Sequence, residues 1–301
     1  MKFSIVIPNY NGARLLKKNL PRVITAAKNA EIIVVDDAST DDSVHVMKED
    51  FPQVRLIENP KNLRFAKACN TGVKQAKGEI VVLLNTDVHP EESFLKPLAP
   101  HFKDARVFAV GCMEIVNSKT RGKSTGRFEK GLLVHGEASD RKPGPTLWAF
   151  GGSAAFSREK WLQLDGMDHL FRPAYWEDID LSYRAWKRGW EVRFEPESRV
   201  HHEPESTNVD VFGEARIRRI ASKNQLLFVW KNIHDRKYIL QHLLWLPLRL
   251  GGAVLRGDSA FVIGTFQAVF QFPEALLARI REKRHAKVSD ENVFSKVKGT
   301  Q

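Results

Sequence analysis

Three near-continuous apolar runs punctuate the first 85 residues: Phe3-Ser4-Ile5-Val6-Ile7, Glu31-Ile32-Ile33-Val34-Val35 and Glu79-Ile80-Val81-Val82-Leu83-Leu84. Rich in β-branched residues and lacking strict alternation, they have the pattern of strands buried on both faces of a parallel sheet. Between the runs the apolar positions fall three or four residues apart. Leu16, Leu20, Val23 and Ala27 make one such stripe, which predicts a helix packed on the sheet. Asp41-Asp42-Ser43 supplies N-cap chemistry for a second helix, residues 54–57 predict a further short strand, and residues 64–76 a third helix. Strands and helices alternating through short connections predict a doubly wound α/β sheet.

The period fails over residues 116–146, where Gly, Lys, Arg, Ser and Pro dominate, and a long loop or loose hairpin is expected. Pattern resumes at Leu147-Trp148-Ala149-Phe150, a helix is predicted over 178–187 with Gly189 just beyond its end, and a short strand over 191–194. From about residue 205 the chain reads as helical and basic, with Ile217, Ile220, Leu227, Phe228 and Trp230 at helical spacing. Residues 238–255 and 261–280 are more apolar, although Pro247, Arg249, Pro273 and Glu274 interrupt them. Residues 281–301 are expected to be a frayed polar tail. The division that follows is an α/β domain over 1–205 and a helical basic extension over 206–301, suited to a membrane surface or to homo-oligomer formation.

Composition changes this picture in two ways. The formal charge of +11 and pI near 9.6 call for an anionic partner, for which a nucleotide, an anionic membrane face and nucleic acid all qualify. The extension holds much of that charge: residues 234–301 carry 11 Lys and Arg against 6 Asp and Glu, a net +5. Cys69 and Cys112 are too few for a disulfide framework, so a reducing cytoplasm is the expected compartment. The opening apolar stretch stops at Pro8, too short for a secretory signal, and no uncharged run reaches the ~20 residues of a membrane-spanning helix.

Candidate chemistry lies where the predicted strands end, since open α/β sheets bind ligands there. Pro8-Asn9-Tyr10-Asn11, Asp36-Asp37-Ala38-Ser39 and Asn85-Thr86-Asp87 occupy these three ends. Two further segments follow in order, Gly151-Gly152-Ser153-Ala154-Ala155-Phe156 and Tyr175-Trp176-Glu177-Asp178-Ile179-Asp180-Leu181-Ser182-Tyr183-Arg184. With Asn62-Leu63-Arg64-Phe65-Ala66-Lys67-Ala68-Cys69-Asn70-Thr71-Gly72, this set resembles the family-2 glycosyltransferases of GT-A fold, and the rhamnosyltransferase-like branch especially. The resemblance spans about residues 3–206.

It implies a fold, a reaction and roles. The fold is a Rossmann-like nucleotide-binding sheet flanked by helices, and the reaction is inverting transfer from a dTDP- or UDP-sugar to an acceptor hydroxyl on a cell-surface or lipid-linked glycan. Asp36 or Asp37 is implied as a base or ribose contact, with Pro8 and Tyr10 lining the same pocket. Arg64, opening a helix near the diphosphate, can offer charge-assisted hydrogen bonds to it. The family's Asp-x-Asp reads Asn85-Thr86-Asp87 here, leaving Asp87 as the implied carboxylate ligand of a divalent metal, Mn2+ or Mg2+. A histidine is implied as a further ligand, His201 being favoured over His202, a few residues before Ser206. Asp178 is the implied general base.

Two other readings compete. A nucleotidyltransferase would share the nucleotide crevice but needs a Gly- and Lys/Arg-rich phosphate loop, which Asn9-Tyr10-Asn11-Gly12-Ala13 does not supply. A basic nucleic-acid-binding protein would explain the charge without a catalytic site, but needs basic and aromatic residues on one face. No nucleic-acid partner is expected.

Overall fold

A computed structural model describes residues 1–203 and 213–298. The apolar runs form β1 (Phe3–Asn9), β2 (Glu31–Asp36) and β4 (Ile80–Leu84), and β3 (Arg55–Glu58) lies outside β2. These four are parallel, in the spatial order β3-β2-β1-β4. Helices on both faces account for the lack of alternation in the runs. Ile5, Ile7, Val34, Val82 and Leu84 cluster with α1 (Ala13–Ala26) and α2 (Ser43–Asp50). Val6, Ile33, Val35, Val81 and Leu83 cluster with α3 (Phe65–Gln75) on the other side. There the helix lies so near the sheet that a Cβ on Gly72 would sit 2.3 Å from Val6 Cγ1. Of the predicted cap residues Asp41 does the work, accepting from the backbone N–H groups of both Ala13 and Ser43 at 3.0 Å.

Beyond β4 the sheet becomes mixed. After the short β5 (Val88–Pro90) and α4 (Leu95–Leu98) comes β6 (Val107–Val116), and β11 (Ser153–Ser157) runs antiparallel between β4 and β6. The twelve-residue β12 (Glu191–His202) lies parallel to β6 and extends well past the expected end at 194. With β7 (Lys119–Arg121) and β10 (Gly144–Pro145) the sheet has ten strands among the described residues. Residues 116–146 are more ordered than expected, because β8 (Ser124–Glu129) and β9 (Leu132–Glu137) pair as a hairpin whose Leu132 and Leu133 enter the main core.

After α5 (Arg158–Gln163), the helix α6 (Glu177–Lys187) leads back to β12. The extension supplies α7 (Glu214–Asn232), α8 (Arg236–Leu255), α9 (Ser259–Phe270), α10 (Phe272–His285) and α11 (Asp290–Val297). The expected boundary at 205–206 and Ser206 lie outside the described residues. The expectation of a frayed tail fails over residues 281–298, and residues 299–301 lie outside the described residues. Asp290 is fully buried and accepts from Tyr183 Oη at 2.7 Å, Lys187 Nζ at 2.6 Å and the backbone N–H groups of His234 and Asp235. One carboxylate thus ties α11 to α6 and to the start of α8. Most polar residues of this segment are exposed, and it is held by the buried carboxylates of Glu282 and Asp290 and by the buried Val293, Phe294 and Val297.

Candidate active site

The ends of β2, β1 and β4 are adjacent, so three of the candidate clusters share one rim of the sheet. Register sets Asn9 beside Asp36, and Asn9 Nδ2 donates to Asp36 Oδ1 at 2.9 Å. The Ser39 hydroxyl donates to the same Oδ1 at 2.6 Å and the Ser39 N–H to Oδ2 at 2.9 Å. Asp37 Oδ1 accepts from Asn59 Nδ2 and Leu63 N–H, and its Oδ2 from Arg64 N–H at 2.7 Å. All four carboxylate oxygens are therefore engaged, and both aspartates are buried. Each accepts three hydrogen bonds that hold loops, which leaves one of the roughly four acceptor sites of a carboxylate. What stands open beside them is Tyr10, 50% exposed, and Arg64, with Pro8 half-buried. Asp37 fixes Arg64 in its left-handed conformation (φ 72°) at the start of α3. A guanidinium beside a helix N-terminus is an anion-attracting arrangement.

At the end of β4 the Asn85 N–H donates to Gly152 O at 3.0 Å. A Cβ on Gly152 would lie 2.4 Å from Asn85 Nδ2, so glycine is needed for this approach. Two residues on, Asp87 Oδ2 lies 3.1 Å from His202 Nε2. His201, favoured in the sequence, is elsewhere: its ring stacks on His89 at 5.1 Å between centroids and its Nε2 lies 3.1 Å from Glu91. The reason is strand geometry. Successive side chains of β12 point to opposite faces, and pairing with β5 sets His201 against His89 and His202 against Val88. The histidine beside Asp87 is His202.

Behind His202 sits Glu114 on β6, buried to 2%. It accepts from Arg121 Nε at 2.6 Å and from the Ser153 hydroxyl at 2.5 Å, and it lies 3.3 Å from His202 Nδ1. Burial, which alone would lower an imidazole's pKa, is outweighed by the hydrogen bonds and charges of Asp87 and Glu114, and His202 is pushed up to about 9. Arg121 Nη2 lies 2.9 Å from His202 Nδ1. The sequence did carry a signal for Glu114, a carboxylate inside the apolar run of β6, where an ionised group needs partners.

The last candidate cluster is built at the start of α6. Tyr175 and Trp176 both have left-handed backbones (φ 71° and 79°), and they turn the chain into Glu177-Asp178. A residue that nothing in the sequence singled out holds this turn. Asn224 on α7, fully buried, directs its Nδ2 at the carbonyls of Phe171, Ala174 and Tyr175, at 2.7 to 2.9 Å. Lys223 Nζ donates to Arg172 O at 2.6 Å. The extension therefore positions the very turn that aims Asp178.

Asp178 Oδ2 accepts from Gly151 N–H at 3.3 Å and Oδ1 from Ile179 N–H at 2.8 Å. Desolvation raises its pKa despite these bonds, which favours proton capture. Glu177 is buried beside it, its Oε2 without a hydrogen-bond partner, and burial followed by the Asp178 charge pushes its pKa up as well. Gly151 and Gly152 link the two halves of the site, one touching Asp178 and the other Asn85. Next to Trp176 a cavity of about 300 Å³ is lined by His135, Arg218, Gln225 and Asp258, and His135 packs edge-on against both Trp148 and Trp176.

Among the described residues no group of three or more His, Cys, Asp or Glu is gathered as a ready-made metal site. Asp87 and His202 do fit a hard divalent cation that takes its remaining ligands from an anionic substrate. Asp87 Oδ1 is buried without a hydrogen-bond partner, and His202 Nε2 lies beside the same carboxylate.

The family model described as Glycosyl transferase family 2 matches residues 4–163, more than half of the chain. Over 208 residues, 66% of this chain and 42% of the relative, the sequence is 27% identical to the pre-mycofactocin glycosyltransferase of Mycobacterium tuberculosis. The solved structure of GalNAc-T7 with UDP, GalNAc and Mn2+ superposes with a TM-score of 0.66 at 20% identity, covering 99% of this chain and 56% of that one. The mannosyltransferase PcManGT of Pyrobaculum calidifontis, in complex with GDP-Man and Mn2+, superposes with a TM-score of 0.54 at 20% identity, covering 93% of this chain and 73% of that one. The chain spans less than half the length of the mycobacterial relative. At these identities the structural likenesses carry the fold, a GT-A sheet flanked by helices with further helices at the C-terminal end.

Proposed function

The chain belongs to glycosyl transferase family 2, and on that premise we propose that it transfers a sugar, with inversion, from a dTDP- or UDP-sugar to an acceptor hydroxyl of a cell-surface or lipid-linked glycan. The observation that carries this reading is the position of Asp178, a desolvated carboxylate joined through Gly151-Gly152 to the Asn85-Thr86-Asp87 turn. A base on the acceptor side and a turn able to hold the leaving group are what a single displacement needs.

In the proposed step Asp178 takes the proton of the acceptor hydroxyl as that oxygen bonds to the anomeric carbon. The bond from that carbon to the diphosphate oxygen breaks, and its electron pair leaves with the nucleoside diphosphate. No covalent sugar–enzyme intermediate is required, so the configuration inverts. Tyr10 and Pro8 line the base pocket, Asp36 or Asp37 contacts the base or ribose while both hold these loops in register, and Arg64 pairs with phosphate oxygens. Asp87 and His202 would hold Mn2+ or Mg2+, which when bound neutralises charge developing on the leaving group. The Mn2+ found with GalNAc-T7 and with PcManGT supports that assignment. The Asn62 to Gly72 segment and Asn85 support placement in the rhamnosyltransferase-like branch.

The test is release of nucleoside diphosphate from a panel of dTDP- and UDP-sugars, comparing the native chain with Asp178→Asn. The variant should bind nucleoside diphosphate normally and lose turnover by at least ~10²-fold, the usual contribution of a general base. Turnover within a few-fold of native would refute the assignment.

A further inference from the structure

Among the described residues eighteen large hydrophobic side chains are exposed, and fifteen of them lie on α8, α9 and α10. Leu244 is 70% exposed, Leu248 65%, Leu255 89%, Phe270 85% and Leu277 71%. The buried positions of the same helices are mostly small, Ala253, Ala260, Gly264, Thr265, Ala268, Ala275 and Ala278, and the two larger ones, His242 and Glu282, are polar. These helices are inverted relative to those of a water-soluble core, with alanine and glycine inward and leucine and phenylalanine outward. Exposed apolar surface on that scale, gathered on three successive helices, marks an interaction surface.

We infer that this face seats the protein on an anionic lipid bilayer, lying in the plane of its surface without crossing it. Charge selects the occupant. Neither α8 nor α9 contains an Asp or Glu, and the two on α10 are engaged internally, Glu274 with Arg172 and Glu282 with Arg188. Cations remain at the rim: Lys130 over the Trp245 ring, Arg256, and Lys283 and Arg284 in the last turn of α10. A symmetric contact with a second copy would set like charges against each other, whereas anionic headgroups would meet them favourably. Geometry selects the mode. No single described helix is long and apolar enough to span, and α9 and α10, which together are, bend by 66° at their junction. Short helices with an apolar face and a basic rim lie in the interface.

The same group of helices also lines the cavity beside Trp176. The 300 Å³ cavity beside Trp176 is walled on its other side by Asp258 and Ala260, at the turn from α8 into α9. An acceptor carried in the bilayer surface would thus be presented next to α6.

The experiment uses the whole chain and measures co-sedimentation with vesicles of phosphatidylcholine alone or with added phosphatidylglycerol, at low and high salt. Its readout is independent of transfer activity, so it stands apart from the proposed reaction. Binding to the anionic vesicles, weakened by salt, is expected. Paired variants Leu244→Glu with Leu248→Glu, and Lys283→Glu with Arg284→Glu, should each lower partitioning at least ~10-fold. Their thermal unfolding should be unchanged, because the altered side chains are exposed. Absence of binding to anionic vesicles, equal binding to neutral ones, or undiminished binding by both paired variants would overturn the inference. So would a stable dimer in light scattering that the leucine variants dissociate without loss of vesicle binding.

Discussion

Replacing Asn224 by Ala should lower turnover far more than it lowers donor affinity. The side chain supplies two N–H donors to three carbonyls, that of Phe171 buried and those of Ala174 and Tyr175 partly buried. At ~1 kcal/mol net for each donor lost, and up to ~3 kcal/mol for a carbonyl left unsatisfied, the cost to stability is about 2–4 kcal/mol. The turn it holds is itself strained. Two consecutive non-glycine residues with left-handed backbones, Tyr175 and Trp176, store about 2–4 kcal/mol between them. Clamp and strain are of equal size, so removing the clamp lets the turn relax. Asp178 lies two residues further on, and a misplacement of ~1 Å at a reacting group costs ~10²-fold. Nucleotide release, assayed at least ten degrees below the variant's unfolding midpoint, should therefore show kcat down ~10-fold or more with KM for the donor little changed, since Tyr10 and Arg64 are untouched. The midpoint should fall by roughly 3–6 °C. Asn224→Asp, which preserves shape but removes both donors, should behave alike. A lowered midpoint with kcat within twofold of native would show that Asn224 serves stability alone and would refute the positioning argument.

The remaining predictions test single groups. Turnover should fall as pH is lowered, because Asp178 must be ionised to act, and the midpoint should lie above the ordinary carboxylate value of about 3.9; a profile flat down to pH 4 would contradict this. Asp87→Ala should abolish the gain in nucleoside-diphosphate affinity that Mn2+ gives the native chain, as read by calorimetry, and Mn2+ alone should bind both proteins weakly because two protein ligands suffice only with phosphate present. Glu177 has its pKa raised in the folded state, so the native state holds a proton that the unfolded chain loses, and stability falls as pH rises above the ordinary carboxylate range. Glu177→Gln should therefore gain stability between pH 5 and 8 relative to native, and an identical pH dependence of unfolding in both would refute that reasoning. Asp290→Ala leaves the Lys187 ammonium buried and unpaired and should cost ~3–5 kcal/mol in denaturant unfolding; a loss below ~1 kcal/mol would mean that α11 is dispensable.

The sequence by itself determined the parts of this protein that local chemistry controls. Near-continuous apolar runs sufficed for β1, β2 and β4, because strands covered on both faces have no polar face to display. The three-and-four spacing in α1 and the acidic start of α6 were equally legible, and so was the grouping of Asn9, Asp36 and Asn85 at strand ends. What a side chain does once there was decided by the tertiary structure. Asp36 and Asp37 looked like ligand contacts, and only the packed fold shows that each also accepts three hydrogen bonds that hold neighbouring loops. The choice between His201 and His202 rests on strand parity, which only the pairing of β12 with β5 and β6 fixes. Asn224 and Asp290 lie about fifty and one hundred residues from the groups they hold, so no window along the chain contains both partners. The tail read as frayed because a buried carboxylate and an exposed one look identical in sequence. Burial and partnership are properties of the packed fold: they set whether a charged residue is solvated, stabilising or reactive, and they come into being only when distant segments meet.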